Sequence, residues 1–133
     1  MIVFFDTNVL VSAVATRGLC ADVVNAAIVE HQVVVGETVL AELRQVCQQK
    51  LRLPASLIDE LIAFLRLHAR VVTATRAPDH DIRDPNDRAI IAEAVTSQAD
   101  VLVTGDQELL RMAAPGRLRV VSPRGFWELL RAP

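Results

Sequence analysis

Two short apolar runs in this chain end in the same polar punctuation. Ile2-Val3-Phe4-Phe5 stops at Asp6-Thr7-Asn8, and Val101-Leu102-Val103 stops at Thr104-Gly105-Asp106. Two more acids stand where a plain structural role explains them poorly. Glu42 falls on the apolar stripe of Val39, Leu43 and Val46, one helical turn from both valines, and a carboxylate facing a core is costly unless paired, protonated or bound to an ion. Asp84 and Asp87, in Asp84-Pro85-Asn86-Asp87, are one acid more than a helix cap requires. If these carboxylates meet, they repel, and a hard divalent cation resolves the conflict. Oxygen-only ligands select Mg²⁺ or Mn²⁺ over zinc, and His31, His68 and His80 show no ligand spacing. A site of this kind, without a covalent nucleophile, suits phosphodiester hydrolysis, in which the ion acidifies a water and offsets charge on the leaving oxygen. Thr7, Asn8 and Thr104 are candidates to hold waters of the ion or the scissile phosphate.

Each acid also has an ordinary reading. Asp6 or Thr7 caps a helix beginning near Asn8; Glu42 lies at the stripe edge and reaches water or the neighbourhood of Arg44; one of Asp84 and Asp87 caps its helix. A calcium loop over the aspartates from Asp79 is excluded, because its sixth position is Asp84 rather than glycine and its twelfth is Ile90.

The elements that must carry these residues follow from hydrophobic period. The unbroken apolar run 2–5 reads as a strand buried on both faces. A helical turn over Val9 to Val14 follows, then a break at Thr16-Arg17-Gly18, a helix from Leu19 to Ile28, and a strand at Val33–Val35. A helix is expected from Glu37 to Lys50. Ser56 reads as the N-cap of the next, with Asp59 at its third position, so that the pair makes a helical hairpin standing out as an arm. A strand over Arg70–Thr75 leads to a polar loop over 76–87. The helix starting near Asp87 is expected to bury Ile90, Ile91, Ala94 and Val95. After the strand at 101–103 come a helix through Leu109, Leu110 and Met112, a strand at Leu118–Val121, and a terminal helix opened by Ser122-Pro123 that carries Phe126, Trp127, Leu129 and Leu130. Alternation of strands and helices implies α/β class, with a parallel sheet covered on both faces. Asp6 and Asp106 then sit at carboxyl ends of strands, the edge where open sheets bind ligands.

A chain of 133 residues that is 52% hydrophobic fits a single domain over 1–133 with a real core. No run approaches the ~20 apolar residues of a membrane span, and no signal peptide precedes the first strand, so the expected location is cytoplasmic. Cys20 and Cys47 are too isolated for a disulfide framework and read as buried thiols. A net charge of −2 argues against a basic nucleic-acid coat while leaving room for a local patch. Lys50 is the only lysine among the fourteen basic residues. Arg17, Arg83, Arg88 and Arg111 flank the acidic motifs and could contact phosphates, or be solvated surface. With no tyrosine in the chain and Trp127 read as core, no stacking platform for bases is visible.

The chain as a whole resembles the PIN-domain family, of the type found as the toxin of bacterial toxin–antitoxin pairs. The match is carried by Asp6-Thr7-Asn8-Val9-Leu10, by Glu42 within Val39-Leu40-Ala41-Glu42-Leu43, by Asp84-Pro85-Asn86-Asp87-Arg88-Ala89-Ile90-Ile91-Ala92-Glu93-Ala94, and by Val103-Thr104-Gly105-Asp106. Weak singly, these motifs in this order are specific. The resemblance implies a three-layer α/β/α sandwich around a mainly parallel sheet and a metal-dependent endoribonuclease activity with Mg²⁺ or Mn²⁺. It implies an acidic set of Asp6, Glu42, Asp87 and Asp106. Asp84 fits a subgroup whose third motif is Asp-Pro-x-Asp; Asp87 is favoured as the ligand because its spacing to Ala92 and Ala94 matches the family helix. Arg88, in the same motif, is a candidate substrate contact. RNA, a cognate antitoxin and a second copy in a homodimer are the partners implied.

Other readings are a PIN fold that binds RNA or protein without cutting, and a nuclease that processes RNA without being a toxin. A missing acid would signal the first, and none is missing. Phospho-acceptor receiver domains and aspartyl-phosphate phosphatases rank low: their families use a lysine at the end of a later strand, whereas Lys50 falls in the hairpin, and Asn8 stands where the phosphatases carry a second aspartate.

Overall fold

The computed structural model describes residues 1–74, 84–112 and 114–132. Within them, five strands form one sheet: β1 (Ile2–Phe5), β2 (Gln32–Gly36), β3 (Arg70–Val72), β4 (Val101–Val103) and β5 (Arg119–Val121). Their order is β3-β2-β1-β4-β5, and every pairing is parallel. Helices α1 (Thr7–Ala15), α2 (Leu19–Glu30), α3 (Glu37–Gln49), α4 (Ala55–His68), α5 (Pro85–Thr96), α6 (Gln107–Arg111) and α7 (Pro123–Arg131) connect and cover the strands as an α/β/α sandwich.

A central parallel strand has helices over both faces, so it needs an unbroken apolar run. Val3, Phe4 and Phe5 of β1, Val33–Val35 of β2 and Val101–Val103 of β4 supply it, and all are buried. The edge strands β3 and β5 are three residues long and each opens with an exposed arginine. Short, charged edges discourage pairing with other chains.

From β1 the chain moves outward through β2 to β3, then returns by α5 to β4 on the other side of β1 and ends at β5. The order therefore reverses between β1 and β4. In open α/β sheets the ligand crevice forms at such a reversal, beyond the carboxyl ends of its strands. Asp6 directly follows β1, and Asp106 lies three residues beyond Val103, so the topology brings the two acidic strand ends side by side.

The helical hairpin is α3 and α4. Val39, Leu40, Leu43 and Cys47 of α3 are core, and α4 adds Ile58, Ile62 and Leu65, while Leu57, Phe64 and Leu67 face solvent. Arg44 bridges Asp59 at 2.9 Å and Arg66 bridges Glu37 at 3.1 Å across the hairpin, pairs too exposed to contribute much.

Several local expectations are corrected. Ser56 does not cap α4: Pro54 precedes the helix, its carbonyl accepts from the Leu57 and Ile58 amides, and Asp59 is engaged with Arg44 instead. On α5, Val95 is exposed and Glu93 is buried, because the helix packs against both β2 and α3 and needs a wider inward face. Helix α1 begins at Thr7, earlier than the periodicity suggested, since Asp6 caps it. Trp127 is only partly buried, and Cys20 is half-buried where Cys47 is fully so. The strand expected to reach Thr75 ends at Val72, and Thr75, His80 and Arg83 lie outside the described residues. No single described helix is long and apolar enough to cross a membrane.

Candidate active site

Asp6 keeps its backbone in the sheet, its amide donating to the Val103 carbonyl at 2.9 Å, and turns its carboxylate beyond the edge. Three donors fix that carboxylate. Oδ1 accepts the Thr7 amide at 2.7 Å, and Oδ2 accepts the Thr104 hydroxyl at 2.6 Å and the Asn8 side-chain amide at 3.0 Å. Thr104 Oγ1 in turn accepts the Asp106 amide at 3.0 Å, and Asn8 Oδ1 accepts the Gly105 amide at 3.0 Å. The ends of β1 and β4 are thus laced together through the two motifs that share a Thr/Asp composition.

A cleft of about 410 Å³ opens over this edge, and its lining includes Asp6, Thr7, Asn8, Glu42, Asp87 and Asp106 together with Ser12 and Lys50. Four elements supply the acids: the end of β1, the second turn of α3, the first turn of α5 and the loop after β4. Asp84 and Asp106 cap α5 and α6, accepting the Asn86 and Glu108 amides at 2.8 Å each. Asp87 lines the cleft and Asp84 does not, its carboxylate being exposed at the helix start. Thr104 is fully buried, so its hydroxyl orients Asp6 from below rather than facing a substrate. Arg88 is exposed and outside the cleft lining. Lys50, the C-cap of α3, also lines the cleft, and its i, i+4, i+8 spacing with Glu42 and Val46 is the sequence signal that puts it on their side of the helix.

The electrostatics bear the mark of crowded acids. Burial pushes the Asp6 carboxyl up, and the Asp106 charge adds to this, against the hydrogen bonds from Thr104, Thr7 and Asn8 that pull it down. Glu42 is raised by burial, then by Asp6, Asp84 and Glu93. Asp87 is pushed up to about 6 by burial and then by Asp106, Asp84, Asp6 and Glu108. Among the described residues no lysine or arginine forms a salt bridge with any of these acids. Among the described residues, Glu42 Oε1, Thr7 Oγ1 and, outside the cleft lining, Glu93 Oε1 are buried without a hydrogen-bond partner. An all-oxygen donor set with unneutralised charge and orphaned oxygens fits a hard divalent cation. The fit is that of an open cleft: no three described acidic, histidine or cysteine side chains are already drawn to ion-binding distance of a common point.

A pH signature follows. The folded-state pKa of Asp87 lies above that of an unfolded aspartate, so the folded chain holds the proton more tightly, and the associated stability is present at acid pH and lost as pH rises from about 4 towards about 6. Metal-free Asp87→Asn should therefore gain thermal stability relative to wild type on going from pH 5 to pH 7.5, read by melting both proteins at each pH. An unchanged difference would mean that Asp87 titrates like a free side chain.

Fold and site together define a class: a parallel α/β/α domain whose crevice, at the reversal of strand order, is walled by carboxylates from four elements. The chain belongs to the PIN-domain family, whose sequence model matches residues 2–108, a span that includes all four acids. PIN domains are typically nucleases, which places the chain among hydrolases of that general kind. Among solved structures, VapBC2 from Rickettsia felis, bound to a DNA fragment from its promoter, matches with a TM-score of 0.65 at 18% identity, over 92% of this chain and 98% of that one. VapBC-1 from nontypeable Haemophilus influenzae matches with a TM-score of 0.65 at 16% identity, over 93% of this chain and 99% of that one. At such identities the agreement is one of fold. No curated protein matches the chain by sequence.

Proposed function

We propose that this chain is a Mg²⁺- or Mn²⁺-dependent endoribonuclease that acts in the cytoplasm as the toxin of a toxin–antitoxin pair. The observation that carries the reading is the convergence of Asp6, Glu42, Asp87 and Asp106 on one cleft, none of them in a salt bridge among the described residues. Those four would hold the ion, with Asp84 adding negative potential at the rim. A bound divalent cation supplies the charge that offsets the carboxylates and acidifies water for attack on the phosphodiester. Asp6, held by three donors, is orientated before any ligand arrives, which limits the reorganisation needed at the reaction. Glu42, whose Oε1 has no hydrogen-bond partner, would take a proton from the attacking water. The amino-terminal ends of α1 and α5 and the Lys50 ammonium favour a phosphate at the cleft mouth.

The VapBC folds support a cognate antitoxin as partner, and the family resemblance supports a homodimer. An apolar groove away from the acidic cleft, lined by Leu10, Val14, Val24, Leu61 and Phe64, suits a protein segment rather than RNA.

The deciding experiment is cleavage of a mixed-structure RNA with Mn²⁺ or Mg²⁺, against EDTA and an Asp6→Asn/Asp106→Asn double variant. Metal-dependent cutting absent from the variant is expected. RNA binding with no cutting by folded wild type would instead indicate a non-catalytic module. In the same assay Lys50→Ala should raise KM roughly fivefold with kcat nearly unchanged, the effect of losing one solvent-screened phosphate contact worth about 1 kcal/mol. A fall in kcat alone would remove Lys50 from the role of substrate contact.

A further inference from the structure

Helix α3 begins without a cap of its own. Gly36 precedes it, and no side chain at its own start accepts its first amides. The acceptor comes from α5 instead: Glu93 Oε2 accepts the Thr38 amide at 3.1 Å, from a position 55 residues away. Glu93 is only 2% exposed, set beside the core residues Ile90, Ile91 and Ala94. A Cβ at Gly36 would collide with its carboxyl group. The backbone there, at φ −83°, suits any residue, so what Gly36 provides is room for the carboxylate.

Burying a carboxylate is costly, and the amino-terminal dipole of α3 offsets part of that cost. Burial raises the Glu93 carboxyl, and the hydrogen bond from the Thr38 amide lowers it. The geometry suggests what is gained in return. Among the described residues, the Glu93 to Thr38 bond is the one side-chain hydrogen bond between α3 and α5. Thr38 lies one turn before Glu42 on α3, and Glu93 lies six residues after Asp87 on α5. We propose that Glu93 is a positioning residue: by capping α3 from α5, it fixes the placement of Glu42 relative to Asp87 across the acidic cleft. The proposal rests on the nuclease reading of that cleft. Nothing in it requires Glu93 to touch ion or substrate.

The test is a double-mutant cycle read by Mn²⁺ affinity in calorimetry and by cleavage kinetics. Glu93→Ala should weaken Mn²⁺ binding about tenfold, as loss of a residue supporting a metal ligand does. It should lower kcat with KM for RNA nearly unchanged. Glu93→Gln keeps an acceptor for the Thr38 amide and should restore both. In a Glu42→Ala background, Glu93→Ala should have no further effect on Mn²⁺ affinity, whereas a carboxyl that merely stabilised the fold would act alike in both backgrounds. In the metal-free protein, hydrogen exchange at the Thr38 amide should be slow in wild type and Glu93→Gln and fast in Glu93→Ala. Should Glu93→Ala fail to fold, Gly36→Ala crowds the same contact and should weaken Mn²⁺ binding on its own. Equal effects of Glu93→Ala with and without Glu42, or unchanged Mn²⁺ affinity in the single variants, would overturn the positioning role while leaving an active wild type as a nuclease. A wild type that neither binds Mn²⁺ nor cuts RNA would overturn the nuclease reading itself, and the positioning role with it.

Discussion

Asp6→Asn should lose RNA cleavage by on the order of a thousandfold or more while the protein stays folded. An ion at such a site contributes several kcal/mol to the transition state, and each ~1.4 kcal/mol is a factor of ten in rate. The substitution keeps shape and volume but replaces one acceptor oxygen by a donor, where three donors already point. One hydrogen bond worth about 1 kcal/mol is therefore at risk. Against this stands the charge removed from a buried position that Asp106 already disfavours. Without metal at pH 7.5, the variant should melt at or above the wild-type temperature; with Mn²⁺ it should melt below. Because the folded-state pKa of Asp6 is raised, its ionised form burdens the fold above the unfolded pKa, and the advantage of the variant should shrink as pH falls. Differential scanning fluorimetry at two pH values, with and without ion, reads all of these. An unfolded Asp6→Asn protein would mean that the carboxylate is there to hold β1 to β4.

Millimolar Mn²⁺ should stabilise the wild type. A ligand that binds only the native state adds about 2.7 kcal/mol at a hundredfold excess over its Kd, which for a domain of this size is roughly 8–10 °C in Tm. The acids crowd one cleft and raise one another's pKa, so an ion there would relieve repulsion as well as gain ligands. Calcium, bound at longer distance by the same oxygens, should stabilise less if the cleft is shaped for the smaller ions. Wild type and Asp6→Asn/Asp106→Asn shifting equally would place the binding elsewhere on the surface.

The acids at the strand ends were legible in the sequence because a parallel strand covered on both faces leaves an unmistakable apolar run, and its end can be read to the residue. Glu42 was legible as an anomaly in a stripe, and the structure leaves it with a buried oxygen and no partner. Asp84 and Asp87 were separable only in part: both lie at one helix start, and which one caps depends on where the helix begins, the least readable feature of a helix. Glu93 was hidden for a different reason. Hydrophobic period sends a glutamate outward and a valine inward, and here Val95 faces water while Glu93 is buried. Nothing local to α5 signals that the bare amides of α3 will stand opposite. Lys50 was not legible as a cleft residue because a hairpin read as an arm gives no sign that α3 lies against β2 and α1, bringing its carboxyl end to the cleft.

The placement of β1 at the middle of the sheet has a consequence for how the protein comes into being. Its neighbour β2 follows within a few dozen residues, but β4, on its other side, is synthesised about a hundred residues later: the Asp6 to Thr104 hydrogen bond spans 98 positions. A growing chain on the ribosome can dock β1 on β2 early and must then keep the other edge of its central strand open until β4 emerges. Contacts so distant in sequence also close late, since the loop entropy falls due before they form. A nascent chain that has not yet extruded Asp106 thus has neither a closed sheet nor a complete set of acids. The acidic cleft therefore cannot assemble from the first hundred residues alone, because β1 and the Asp6 carboxylate find their partners only once residues 101–106 have been made.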